Sequence, residues 1–385
     1  MSGCVAAAGR PLVELRLSAV SILAHTATRV GAVLMPFLLL MGCFGIGAGS
    51  VTRDRFDYTA AVAESWKSQM LLNLVKMRYG DTPVFLDVGQ IVTGYTLQST
   101  FSAAGTIFNT NTVVPGVPNS SIGLGAQGQF IDRPTITYAP LVGERFARSM
   151  MMPIPPSAIL NVIQAGYPVD AVFRLGVQAV NGVDNRRVQV QHVRPANPEF
   201  YVLLRDLRRI QTSGDIGVRR QRVDKDELLT FVLRPNLAAA VEHALINALT
   251  ILGLDPAARE FRVVYGAVAA NDKEIALLSR SIREVLVDLA SVITVPEVHV
   301  TERRVGPTPE ADLGPEGPVP PLIRIASSPD RPGDAFVAAP YRGYWFSIDD
   351  RDIPSKIVFS FLMFLFTFVE TESKEATPIL TIPTQ

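Results

Sequence analysis

Three carboxylates within four residues, Asp349, Asp350 and Asp352, close the densest polar stretch of the chain, Tyr341 to Asp352. Acids this close repel one another unless a cation or a donor neutralises them, so they are candidate ligands for a hard cation such as calcium. The same residue types also turn a strand into a helix. In that reading Asp349 or Asp350 makes an Asx-turn, Asp352 caps the helix, and Arg351 pairs internally. Tyr341, Tyr344 and Trp345 in the same stretch are candidate anchors for a partner or a glycan, with alternate members facing the core. Elsewhere the groups that do chemistry are scattered. His192, His243 and His299 are isolated in sequence, and neither H-x-x-x-H nor H-E-x-x-H spacing occurs. There is no Gly-x-Ser-x-Gly elbow and no phosphate loop. Gly123 to Gly128 matches G-x-G-x-x-G but lacks the strand-turn-helix setting that would put phosphate on a helix N-terminus. The sequence therefore assigns no catalytic residue and calls for no cofactor.

Cys43 is the other residue with chemistry to offer. It ends the uncharged run Val30 to Gly42, after Arg10, Arg16 and Arg29, and Gly42 is the small residue a signal peptidase needs. This arrangement resembles the lipobox of bacterial lipoproteins. The resemblance implies that residues 1–42 are a signal peptide and that the Cys43 sulfur carries diacylglycerol. It also implies the outer membrane, because Phe44 stands where lipoproteins kept at the inner membrane often carry Asp. The competing expectation is an uncleaved membrane helix, since Val30 to Thr52 carries no charge over a length that can cross a bilayer. Gly45, Gly47, Gly49 and Ser50 argue instead for a flexible tether over residues 43–52. The region before Arg29 is long for the charged n-region of a signal peptide, so the true start is expected downstream, near Val20.

Three segments, Arg53 to Tyr58, Gly80 to Asp87 and Tyr341 to Asp352, are similar to those of proteobacterial lipoproteins without an assigned activity. The resemblance spans most of the chain after Cys43 and brings no catalytic residue with it.

The elements that would hold these residues point to an α+β fold. A helix is expected from an Asp57 cap to Tyr79, with Ala63, Trp66, Met70, Leu74 and Met77 on one face. Strict alternation from Ile91 to Phe101 and again from Ile122 to Phe130 predicts a long hairpin. It fits either an edge hairpin over the soluble core or strands of a membrane barrel. Helices are expected after Pro155-Pro156, from Pro168 to Val180, and from Asn197-Pro198 to Gly214. Residues 53–214 thus read as one region. Residues 215–385 read as a second, α+β region with a mobile surface loop at 306–321. In it, strands are expected at Leu228 to Leu233, Phe261 to Tyr265, Glu274 to Leu278, Leu322 to Ala326, Ala335 to Ala339 and Tyr344 to Ile348. Helices are expected at Ala238 to Leu252 and Ser281 to Val292. The apolar run Ile357 to Val369, between Lys356 and Glu370, is short for a membrane span and suits a buried helix capped by Asp352, or an oligomer contact.

Thirty-six basic and thirty-six acidic residues cancel, which argues against nucleic acid as a partner. The expected function is a noncatalytic, lipid-anchored envelope protein with its body in the periplasm, acting as a binding or assembly component. Its partners would be the membrane through the anchor and an envelope protein or further copies of itself. One alternative is a subunit of an oligomeric outer-membrane pore or secretion channel that donates the hairpin around residues 91–130. Another is a cation-dependent envelope enzyme using Asp349, Asp350 and Asp352.

Overall fold

The computed structural model describes residues 48–92, 95–107, 120–132, 135–188, 193–214, 216–223, 226–233, 237–370 and 380–383. Cys43, the expected signal peptide and His192 lie outside the described residues. Glu64–Gln385 forms one compact unit, distinct from the residues that precede it.

Helix α1 (Ala48–Arg78) begins well before the expected Asp57 cap and takes in the last five residues of the expected tether. A helix nucleated by the good formers downstream extends at a modest cost per residue, so Gly49 and Ser50 slow it without stopping it. Met70, Leu71, Leu74 and Val75 form its buried face. Lys76 and Arg78 sit at the negative end of its dipole, and Gly80, at φ +75°, ends it.

Strands β1 (Leu86–Val92) and β2 (Tyr95–Ile107) then run out, and β3 (Ser120–Asp132) and β4 (Thr135–Pro140) return. β1 pairs with β4 and β2 with β3, in register on both sides of the break: Val92 lies opposite Thr135 and Tyr95 opposite Asp132. A bulge at Gly89 shifts the lower half by one residue.

Short helices follow: α2 (Glu144–Met151), α3 (Pro156–Gln164) and α4 (Val169–Gly176). Of the three methionines 150–152, Met150 is buried and the other two are exposed. The helix expected to continue to Val180 stops at Gly176, and β5 (Val177–Val180) turns back into β6 (Val183–Asp184). Asn181 at φ +45° and Gly182 at φ +81° make this turn, the pairing of positive angles that matches strand twist in a two-residue hairpin. The Asn181 side chain fixes it by donating to the Leu252 and Glu274 carbonyls and accepting from Ala276 N.

β7 (Arg187–Val188) and β8 (Val193–Arg194) lead to α5 (Pro198–Ser213), which Gly214 ends at φ +74°, as expected. Then come β9 (Ile216–Val223), β10 (Asp226–Leu233), α6 (Ala239–Ile251), β11 (Glu260–Tyr265) and β12 (Glu274–Ser279). These join in a six-stranded sheet of order β6-β5-β12-β11-β10-β9, in which only β11 and β12 are parallel. Strands from before and after residue 214 thus share one sheet. Ser281 and Glu284 form a reciprocal capping box at the start of α7 (Ile282–Ser291).

Beyond α8 (Glu297–Thr301), the expected mobile segment 306–321 carries the small hairpin β13 (Leu313–Gly314) and β14 (Gly317–Pro318). β15 (Ala326–Ser328), β16 (Ala335–Tyr341) and β17 (Tyr344–Asp349) form an antiparallel sheet. Helix α9 (Ile353–Glu370) occupies the apolar run, and β18 (Leu380–Pro383) pairs with β4. The fold is α+β, a mixed sheet with helices.

One apolar core gathers α1, α4, α5, α7, α9 and the inner faces of the sheets. Phe359, Leu362, Leu365 and Phe366 of α9 are buried in it, and the Phe366 ring lies 4.5 Å from that of Phe85. No described helix is long and apolar enough to cross a membrane. Phe359→Ala removes a fully buried ring and is expected to cost about 3–5 kcal/mol, read as a lowered urea midpoint.

Candidate functional site

The carboxylates of the 349–352 run are each engaged locally. Asp349 accepts from Arg351 N at 2.7 Å, the Asx-turn. Asp350 pairs with Lys356 at 2.6 Å, and that bond holds its carboxyl below the usual range. Asp352 caps α9 by accepting from Ser355 N, at 3.2 Å, and from Ser355 Oγ, and pairs with Arg324 at 3.2 Å. Burial alone would raise the Asp352 pKa, but these bonds outweigh it and the net shift is downward. Arg351 reaches across to Asp334 on the preceding turn rather than to its own run. Among the described residues no three metal-ligating side chains converge. Asp352→Ala is expected to cost about 1 kcal/mol through the lost cap, measured by urea denaturation.

The aromatic candidates separate. Arg342, at φ +48°, and Gly343, at φ +84°, make a two-residue turn that sets Tyr341 opposite Tyr344. Tyr341 donates to Asp81, which also binds Arg342 at 2.9 Å. The Tyr344 ring stands edge-on to His299, 5.1 Å away, and Arg331 covers Trp345. Tyr341 and Tyr344 thus serve the body rather than present free anchors.

His299 is buried at 3 % exposure, with Nδ1 2.7 Å from the Tyr79 hydroxyl. Burial pushes the imidazole pKa down, helped by Arg304. Burial pushes the Tyr79 phenol up, against the pull of Arg342. Both groups are therefore neutral near pH 7 and share one hydrogen bond. His243, by contrast, is exposed on α6.

A polar cleft of about 190 Å³ lies where segment 306–321 crosses the body. Arg186 stands between Asp288, at 3.7 Å, and Asp312, at 3.9 Å. Asp312 is 7 % exposed and accepts from the Tyr201 hydroxyl at 2.6 Å. Burial and that bond together drive the phenol far above its ordinary pKa, so it stays a donor. Arg280 binds Asp288 at 3.1 Å and caps the last carbonyls of α4, while Arg174 donates to Pro320 O at 2.7 Å. Together these contacts latch the segment in place. Sequence reading missed it because its members lie as much as 146 residues apart and only folding joins them.

The feature left open is the β2–β3 ribbon. All thirteen residues of β2 pair with β3, and among the described residues neither strand belongs to a larger sheet. No charged residue occurs between Asp87 and Asp132. The register sorts the uncharged residues: Leu97 lies opposite Phe130, Phe101 opposite Ala126 and Ala103 opposite Leu124 on one face. Gln98 opposite Gln129 and Thr100 opposite Gln127 fall on the other.

Compared with protein families, curated proteins and solved structures, the chain matches none.

Because buried neutral His299 binds its proton less readily in the fold than at the ordinary pKa of 6.5, its contribution is complete above pH 6.5 and is lost as pH falls through and below it. His299→Gln is expected to lower the urea midpoint at pH 7.5, with the gap from the native chain narrowing at pH 5.

Proposed function

We propose that this chain is a noncatalytic, lipid-anchored envelope protein, tethered through Cys43 and serving as an assembly component. The observation that carries the reading is the β2–β3 ribbon. Two strands of thirteen residues present rows of backbone donors and acceptors along both outer edges, with no further strand on either side among the described residues. An isolated two-stranded ribbon is marginal in water. Exposed edges of this length are templates for other strands, and natural proteins usually blunt them with charge, which β2 and the interior of β3 lack. A ribbon of this kind suits a role in joining chains.

The rest of the molecule supports a scaffold rather than a catalyst. The groups best suited to chemistry are engaged elsewhere: Asp349 and Asp352 shape a turn and a cap, Asp350 holds Lys356, and His299 is held in an aromatic cluster. The anchor rests on the sequence around Cys43, whose resemblance to a lipobox supports a body held at an envelope membrane.

Two measurements test the two halves of the reading. Protein purified from membranes is expected to have an intact mass lower by residues 1–42 and higher by acyl groups, and Cys43→Ser is expected to lose the added mass. Replacing residues 95–132 with a two-residue Asn-Gly turn that joins β1 to β4 is expected to leave the melting temperature of the body nearly unchanged. The same replacement should abolish the complex seen on native gels of membrane extracts. A complex that survives the replacement would remove the ribbon from the assembly role.

A further inference from the structure

We propose that the β2–β3 ribbon enters a lipid bilayer and closes, edge to edge with the ribbons of further copies of this chain, into a β-barrel that conducts ions. The inference rests on the envelope-assembly reading and supplies its partner, which is a second copy of the same chain.

Length is the first support. Thirteen residues at about 3.4 Å each span about 44 Å, against about 30 Å of hydrocarbon, so each strand crosses a bilayer even when steeply tilted. Charge is the second. A strand that stays in water has no reason to exclude Lys, Arg, Asp and Glu, whereas a strand in hydrocarbon must exclude them from its lipid face. The uncharged stretch between Asp87 and Asp132 includes both strands except the final residue of β3, and that residue, Asp132, stands opposite Tyr95 at the ribbon's root. An aromatic and a carboxylate there suit a membrane boundary.

The third support is the sorting of residues by register. One face takes Tyr95, Leu97, Phe101, Ala103 and Ile107 from β2, with Phe130, Ala126, Leu124 and Ile122 from β3. The other takes Thr96, Gln98, Thr100, Ser102, Ala104 and Thr106, with Gln129, Gln127, Gly125, Gly123 and Ser121, and with Ile131 at the root. An apolar face backed by an uncharged polar face is the division between lipid and a watery lumen that barrel strands require. Serine and glycine on the apolar face, Ser99 opposite Gly128 and, toward the tip, Gly105 and Ser120, are small and do not break the division.

Self-association then follows from the hydrogen bonds. In hydrocarbon every backbone donor and acceptor needs a partner, and two strands leave both outer edges bare. Only closure removes the edges. Identical ribbons supply identical edges, with β2 of one copy beside β3 of the next, so a ring of copies closes the sheet.

The test uses the full chain purified in detergent from membranes, with its oligomeric mass measured, then added to planar bilayers of phosphatidylcholine and phosphatidylglycerol. Thr100→Asp and Phe101→Asp place the same charge at adjacent positions on opposite faces. The native chain is expected to form a ring and to give discrete conductance steps. Thr100→Asp should keep the steps and shift selectivity at least twofold toward cations, and Phe101→Asp should reduce their frequency at least tenfold while the body melts normally. Absence of conductance from the native ring, or equal effects of the two variants, would overturn insertion. A ring that forms but never conducts leaves the assembly reading standing, whereas a chain that stays monomeric and conducts nothing overturns the homomeric barrel. Conductance that appears only with a different protein present would also overturn it. The anchor is judged separately, by the intact mass of the same preparation.

Discussion

Burial of one continuous apolar surface is the constraint on which the body depends. Helix α1, near the start of the described chain, and α9, near its end, contribute Leu71, Leu74, Phe359 and Leu362 to the same core, and all four are fully shielded from water. Among the described residues the sheets hold from two to six strands and none closes into a barrel, so their order comes from this shared interior rather than from hydrogen bonding alone. Many of the polar groups drawn in with it are matched, although Ser279 Oγ is buried among the described residues without a hydrogen-bond partner. Asn73 exchanges hydrogen bonds with Val84, Asn185 donates to the Val177 and Arg174 carbonyls, and Arg280 spends its guanidinium on backbone oxygens and Asp288. A buried group left without such partners would cost more than the group contributes.

The sequence made much of this legible, for reasons that differ by element. α5 was plain because Asn197-Pro198, a 3.6-residue apolar stripe and Gly214 all agree, although Asn197 spends its side chain on Asp184 N instead of capping. α9 was plain from the length of its apolar run and the Asp352 cap. The β5 hairpin was hidden, because Val169 to Val180 is apolar enough to continue a helix and the deciding signal is the pair Asn181-Gly182. The alternation of β2 and β3 announced a hairpin, but its full register emerged only from the pairing. The early start of α1 was hidden by a glycine-rich composition that favours a tether when read alone.

The candidate residues divide in the same way. The turn-and-cap reading of the aspartates could be read from spacing, because Asx-turns and caps are local. Arg351 could not, because Asp334 approaches it from the turn before β16, seventeen residues back. Tyr341 and Tyr344 looked like anchors because a sequence shows an aromatic but not its neighbours. Asp81 lies hundreds of residues away from Tyr341, and His299 comes from a five-residue helix with no periodicity of its own. The latch formed by Arg186, Asp288, Asp312 and Tyr201 has no sequence signature at all.

β18 gives this architecture an order in time. β4 is bonded on one side to β1, which precedes it by some forty residues, and on the other to β18, which is synthesised far downstream. While the chain is being made, the root of the ribbon is therefore a two-stranded hairpin with a bare flank. It gains its third strand only once residues 380–383 have emerged. The ribbon thus acquires its third-strand base only after the residues that build the core, Met70 to Phe366, have been made.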